Sequence, residues 1–223
     1  EIVRNIYEWL LAHRAERNHT ILAVGGGVIG DLAGFVAATF LRGMNLVQMP
    51  TSLAAMVDAS IGGKVAVNLP QGKNLVGAFY QPKLVIADLD MLSTLPERER
   101  IAGWAETIKH GMILDEQLIE DIELHVDDLL SLEAEATARV IRRSVAIKAG
   151  VVTEDEREST GQRAILNYGH TVGHALENSI GYGELLHGEA VSIGMCFAAR
   201  ISEKMGLIDM ECVIRQEKLL EAF

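Results

Sequence analysis

Apolar positions near the start recur with helical spacing: Ile2, Ile6, Trp9 and Leu10 predict a helix over 2–12. A continuous apolar run over 21–24 then ends in Gly25-Gly26-Gly27, which suits a strand buried in a parallel sheet. Residues 31–41 read as a helix, 46–49 as a strand closed by Pro50, and 84–87 as a third strand followed by Asp88. Strand and helix thus alternate to about residue 90, the pattern of a parallel α/β layer. After Leu95-Pro96 helical spacing takes over, through 97–113, 115–131, 133–151, 170–180, 188–205 and 209–223, with no further proline. The expected class is α/β plus all-α: a partial α/β domain over 1–95, then a partial helical domain over 96–223.

Composition narrows the partners. With 49% hydrophobic residues the chain can bury a core, and with a net charge of −11 it lacks the clustered cationic surface that nucleic acids require. The acidic excess lies mainly in 115–135 and reads as a solvated helical face. Cys196 and Cys212 have no close Cys or His at zinc-finger spacing, which suits a reducing compartment. No apolar run reaches the length of a membrane span and no signal peptide is visible, so a cytoplasmic protein is expected. The chain opens on Glu1 and stops at Phe223 inside a helical stretch, so an internal piece of a longer protein is expected.

Three stretches carry candidate chemistry. Gly25-Gly26-Gly27-Val28-Ile29-Gly30-Asp31 follows a strand and opens a helix with G-x-G-x-x-G spacing. Such a turn either cradles a pyrophosphate against free helix N–H groups or simply reverses the chain. The next strand ends in Met49-Pro50-Thr51-Ser52, without the acidic residue that usually holds a ribose, leaving the Thr51 and Ser52 hydroxyls as candidate contacts. The second stretch runs from Asp58 through Lys64 to Asn68, Lys73 and Asn74, and reads as a polar glycine-rich loop. Its lysines can meet phosphate or carboxylate, but Val65 after Gly63-Lys64 rules out a P-loop.

In the third, Glu106 and Lys109 share a helix face, which on its own favours a surface ion pair. Arg163, Asn167, His170 and His174 are spaced four, three and four apart, and His187 follows near a helix start. Two imidazoles and one carboxylate, here His170, His187 and Glu106, form a zinc set with an open position. His174 is either a fourth ligand or a proton-transfer group; spacing does not choose.

Together GGGVIGDLAGFVAATFLRG, PTSLAAMVDASIGGKVAVNLPQGKNLVGAFYQP, GWAETIKHG, KAGVVTEDE, RAILNYGHTVGHALE and LLHGEAV resemble the dehydroquinate synthase family, in family order from about residue 21 to 206. The resemblance implies the later part of a nucleotide-binding domain followed by a helical metal-binding domain. It implies Glu106, His170 and His187 as ligands of zinc or cobalt. It places Gly26, Gly27, Val28, Ile29, Gly30, Asp31, Thr51, Ser52, Lys64, Lys73, Met91, Leu92, Ser93 and Thr94 against NAD. Asp58, Lys64, Asn74, Lys109, Lys148, Arg163, Asn167 and His174 match substrate-binding or catalytic positions. Arg42 matches an arginine that reaches the partner subunit's substrate, which implies a homodimer.

The implied substrate is a sugar phosphate, 3-deoxy-D-arabino-heptulosonate 7-phosphate. It is oxidised transiently by NAD, loses phosphate, is reduced again and closes by an intramolecular aldol step. Lys109 and Lys148 are expected at the phosphate and Arg163 near the anionic end groups. Another sugar-phosphate cyclase and a metal-dependent polyol dehydrogenase are the alternatives. The family's acidic contacts to the NAD ribose and a further active-site lysine are expected outside these 223 residues. Thr51-Ser52, Met56, Ala59 and Val65 depart from Thr-Thr, Gln, Ser and Thr in many relatives.

Overall fold

The structure is a computed structural model that describes residues 1–180 and 184–223. The chain divides into two compact units, Glu1–Met91 and Leu92–Phe223.

In the first unit, helix α1 (Ile2–Ala12) buries Leu10 against Val36, Phe40 and Met44. Strand β1 (Thr20–Gly25) leads into helix α2 (Gly27–Thr39), a 3-10 turn at Phe40–Arg42 and strand β2 (Asn45–Pro50). The helix starts four residues before the expected Asp31, because the glycine turn itself supplies its first turn. Two of its glycines are close approaches: a Cβ at Gly30 would sit 2.9 Å from Gln48 Oε1, and one at Gly34 would sit 2.3 Å from Val65 Cγ1.

The stretch expected to be a polar loop is instead an antiparallel hairpin of β3 (Lys64–Leu69) and β4 (Gly72–Phe79), pairing Lys64 with Phe79 and irregular between Val67 and Leu69. Only Val65 is fully buried within it, so the two-residue alternation that marks a strand is masked by lysine, asparagine and glycine on both faces. Strand β5 (Leu84–Val85) is shorter than expected and pairs with β2, completing a parallel sheet of order β1-β2-β5. Register pairs Gly25 with Pro50, and the Thr51 amide donates to the Gly25 carbonyl at 3.0 Å. The glycine turn and Thr51-Ser52 therefore lie side by side at the carboxyl ends of two parallel strands.

The second unit is helical: α3 (Glu97–Leu114), α4 (Glu116–Leu124), α5 (Val126–Leu130), α6 (Ala134–Glu154), a 3-10 turn at Gln162–Asn167, α7 (His170–Ile180), α8 (His187–Lys204) and α9 (Met210–Glu221). The single helix expected over 115–131 is two, broken at His125, whose ring bonds back to the Asp121 carbonyl at 2.8 Å. Helix α3 is the centre, buried on every side from Ala102 to Gly111. The acidic stretch is tied down by arginines rather than merely solvated. Arg143 grips Asp115 at 2.5 and 2.8 Å, Arg139 grips Asp121 at 2.8 Å, and Arg215 grips Glu123 at 2.8 and 2.9 Å. Among the described residues no helix is long and apolar enough to cross a membrane.

Candidate active site

In the first unit the glycine turn presents the start of α2 beside Ser52, whose Oγ would be 3.4 Å from a Cβ placed at Gly26. Gly26 is the N-cap, so Gly27, Val28 and Ile29 form the first turn, where backbone amides and the helix dipole favour an anion. Asp31 follows within the helix. Its own burial and then the charge of Asp58 push its carboxyl up to about 6. Asp58 lies on a π-helical turn, Ala55–Ala59. Lys64 opens β3, while Lys73 and Asn74 lie on β4. Asn74 takes a left-handed φ of 57°, and its amide donates to Asn68 Oδ1 at 3.0 Å. Arg42 and Leu41 are left-handed too, at 64° and 50°. Met91, Leu92, Ser93 and Thr94 end a 3-10 turn, Leu89–Thr94, in which Leu92 is wholly buried.

In the second unit three helices converge. α3 contributes Glu106 and Lys109, α7 contributes His170 and His174, and α8 begins at His187. The start of α8 is fixed twice. Glu189 accepts from the Leu186 amide at 2.8 Å and from Arg98 of α3 at 2.6 and 2.8 Å. Gly188 lies so close to α3 that a Cβ would be 1.8 Å from the Ala102 carbonyl oxygen.

The Glu106 carboxylate is 0% exposed. Its Oε1 lies 3.3 Å from His187 Nε2 and 3.6 Å from His170 Nε2, and its Oε2 meets the Lys109 ammonium. The pair expected at the surface is thus buried. Burial pushes the Glu106 carboxyl up, but Lys109, His187 and His170 together hold it well below the usual carboxylate range. His170 moves down: its burial and the Lys109 charge outweigh the attraction of Glu106, which favours the neutral ring. Its Nδ1 contacts the Tyr168 carbonyl at 3.1 Å, so the proton sits there and the Nε2 lone pair faces Glu106. His174 is more exposed, its ring edge-on to His170 at 5.2 Å.

The donor set fits a divalent cation. One atom from each of Glu106, His170 and His187 lies within 4.8 Å of the others. Tetrahedral zinc with bonds near 2.0–2.2 Å separates its ligand atoms by roughly 3.3–3.6 Å, the spacing seen from Oε1 to each imidazole. Neither Glu106 oxygen has a well-formed hydrogen bond despite complete burial, so only neighbouring charge offsets its desolvation. Two imidazoles and a carboxylate suit zinc or cobalt.

Lys148 and Arg163 are buried cations of the same unit, at 6% and 3% exposure. Arg163 donates to the Glu156 carbonyl at 2.8 Å and lies 3.6 Å from Glu158. Asn167 ends the 3-10 turn and is exposed. Sequence reasoning missed Glu177, 3.6 Å from His187 Nδ1. Its signal was present: it follows His170 by seven residues and His174 by three, on one helical face.

Residues 1–102 match the family described as 3-dehydroquinate synthase N-terminal, and residues 103–223 match 3-dehydroquinate synthase C-terminal. The 3-dehydroquinate synthase of Rippkaea orientalis is 55% identical over 98% of this chain and 60% of its own length. That of Geobacter metallireducens is 52% identical over 97% and 60%. The chain therefore spans about 60% of the length of the curated relatives it matches. Among solved structures, 2-epi-5-epi-valiolone synthase from Streptomyces hygroscopicus, with NAD+ and Zn2+ bound, superposes with a TM-score of 0.91 at 30% identity, over 100% of this chain and 63% of that one. A 2-deoxy-scyllo-inosose synthase complexed with carbaglucose-6-phosphate, NAD+ and Co2+ gives 0.87 at 37% identity, over 99% and 60%. Glycerol dehydrogenase from Schizosaccharomyces pombe, at 0.69 and 16%, shares the fold alone. With the two family matches running without a break from residue 1 to residue 223, the chain belongs to the 3-dehydroquinate synthase family.

Proposed function

We propose that the whole protein is a 3-dehydroquinate synthase, a carbon–oxygen lyase that turns 3-deoxy-D-arabino-heptulosonate 7-phosphate into 3-dehydroquinate and phosphate. The observation that carries this reading is the meeting of a fully buried carboxylate, Glu106, with His170 and His187. Identity of 52–55% to synthases of that name, against 30–37% to the valiolone and inosose cyclases, favours this substrate over theirs.

Glu106, His170 and His187 would hold zinc or cobalt, which supplies Lewis acidity toward a substrate oxygen. The first turn of α2, with Thr51, Ser52, Asp31, Lys64, Lys73 and the 91–94 segment, would hold NAD, which would supply reversible hydride transfer. Lys109, placed by α3 against Glu106, offers its ammonium to an anionic substrate group, with Lys148 at the phosphate and Arg163 toward the carboxylate end. His174, exposed and edge-on to His170, would carry protons between substrate and solvent. Asp58 and Asn74 would orient hydroxyls, and Asn167 would offer a further polar contact.

The same reading makes the protein a cytoplasmic homodimer in which Arg42 reaches the partner's substrate phosphate. Two successive non-glycine residues in left-handed backbone, Leu41 and Arg42, cost about 1–2 kcal/mol each, and strain of that kind concentrates where function requires it.

Phosphate release from the heptulosonate phosphate tests the reading. Release should fall on chelation, return with zinc or cobalt, and leave no net NADH. Steady accumulation of NADH would instead make the protein a polyol dehydrogenase, and release indifferent to a chelator would remove the metal centre.

A further inference from the structure

His187 presents both ring nitrogens to carboxylates. Nε2 lies 3.3 Å from Glu106 Oε1, and Nδ1 lies 3.6 Å from Glu177 Oε2. A neutral imidazole has one proton and one lone pair, so only the nitrogen without the proton can bind a cation. Which one that is depends on what the other nitrogen faces. His170 settles the matter through the Tyr168 carbonyl at its Nδ1. His187 has a carboxylate in the same place.

We propose that Glu177 is the positioning residue of the metal centre: it keeps the His187 proton on Nδ1 and so turns the Nε2 lone pair toward Glu106. The inference rests on the metal-centre reading given above and deepens it. The backbone of His187 is already fixed by the Glu189 cap and by Gly188 against Ala102. The ring itself lies at the first position of a helix with its side chain 39% exposed, and Glu177 faces its Nδ1. Glu177, with a side chain only 11% exposed, is the better-held partner. A carboxylate behind an imidazole also raises the basicity of the opposite nitrogen, and so its affinity for a cation.

A rival arrangement shares the ring. Atoms of His174, Glu177 and His187 also lie within 4.8 Å of one another, so a cation bound through Nδ1 would make Glu177 a ligand. Depth favours Glu106, whose side chain is 1% exposed against 11% for Glu177.

The test uses cobalt(II) and the whole protein, comparing wild type with Glu177→Ala, Glu177→Gln, Glu177→Leu and Glu106→Gln. Cobalt affinity is read by chelator competition, the ligand set by visible absorption, and stability by urea unfolding without metal. Glu177→Ala should weaken cobalt by about 10–100-fold, keep the wild-type band shape and leave metal-free unfolding unchanged. Glu177→Gln, whose amide oxygen still accepts from Nδ1–H, should recover most of the loss. Glu177→Leu, similar in size and without an acceptor, should match the alanine variant and replaces it if that variant does not fold. Wild-type affinity in both the alanine and leucine variants overturns the proposal. So does a Glu177→Ala spectrum that changes as Glu106→Gln changes it, because Glu177 is then a ligand. A wild-type protein that takes up no cobalt overturns the metal centre as well.

Discussion

Glu106 and Lys109 show how far burial changes the meaning of a charge pair. Opposite charges three apart on a helix read as a solvated bridge, worth a few tenths of a kcal/mol. Here both side chains are at most 2% exposed, because α3 is enclosed on every side from Ala102 to Gly111 and its polar positions there have no solvent face. Removing one member of a buried pair costs about 3–5 kcal/mol. Lys109→Ala should therefore destabilise the metal-free protein by about that amount in urea unfolding, and by clearly less with cobalt present, because a second cation then faces Glu106. An equal loss with and without cobalt would show that no cation sits beside this carboxylate.

Asp31 titrates the other way. Its carboxyl, raised by burial and by Asp58 to about 6 from 3.8, favours the folded state when protonated. That contribution is complete below 3.8 and is lost as pH rises through 6. Above that pH the folded protein carries an unfavourable charge that Asp31→Asn would remove. Allowing for partial exposure, the variant should be more stable by about 1 kcal/mol at pH 8, the gain fading between pH 6 and pH 4. Unfolding curves across that range check both sign and window.

At the scale of elements, spacing was legible wherever one face is apolar. The ends of α1, α7 and β2 fall at or within a residue of their expected limits. It failed where packing, not pattern, decides. The hairpin has glycine, lysine and asparagine on both faces, and α2 starts on glycines that have low helix propensity but pack closely on the side chains of Ser52, Ala59 and Gln48. The histidine spacing was legible on α7, yet the partners of those histidines come from α3 and α8, and no local pattern announces a neighbour 64 or 81 residues away. What joins α7 to α8 is glycine: a Cβ at Gly194 would lie 1.9 Å from the Gly169 carbonyl oxygen, and one at Gly173 would lie 3.0 Å from that of Ala190. Gly194→Ala must push the helices apart, and with them His170 from His187. It should cost about 1–3 kcal/mol as overpacking and at least tenfold in cobalt affinity, measured together by unfolding and chelator competition. A destabilised variant with unchanged affinity would show that the ligands do not depend on this contact.

Across the whole molecule, the candidate chemistry is carried by two differently built units. In Glu1–Met91 a parallel sheet sets a glycine turn beside two hydroxyl residues. In Leu92–Phe223 three helices bring a carboxylate to two imidazoles. A ligand that binds only the folded state stabilises it by mass action, about 2.7 kcal/mol at a hundredfold excess over Kd. Cobalt at that excess should therefore slow amide hydrogen exchange in α3, α7 and the first turns of α8, because those backbones carry its ligands. NAD should slow exchange at the Gly25–Gly30 turn and the start of α2, where its phosphates would meet backbone N–H groups. Exchange mapped peptide by peptide, with each ligand added alone, checks both assignments. Protection by cobalt that begins in the glycine turn, or by NAD that begins at His170 and His187, would reverse the division of labour between the two units.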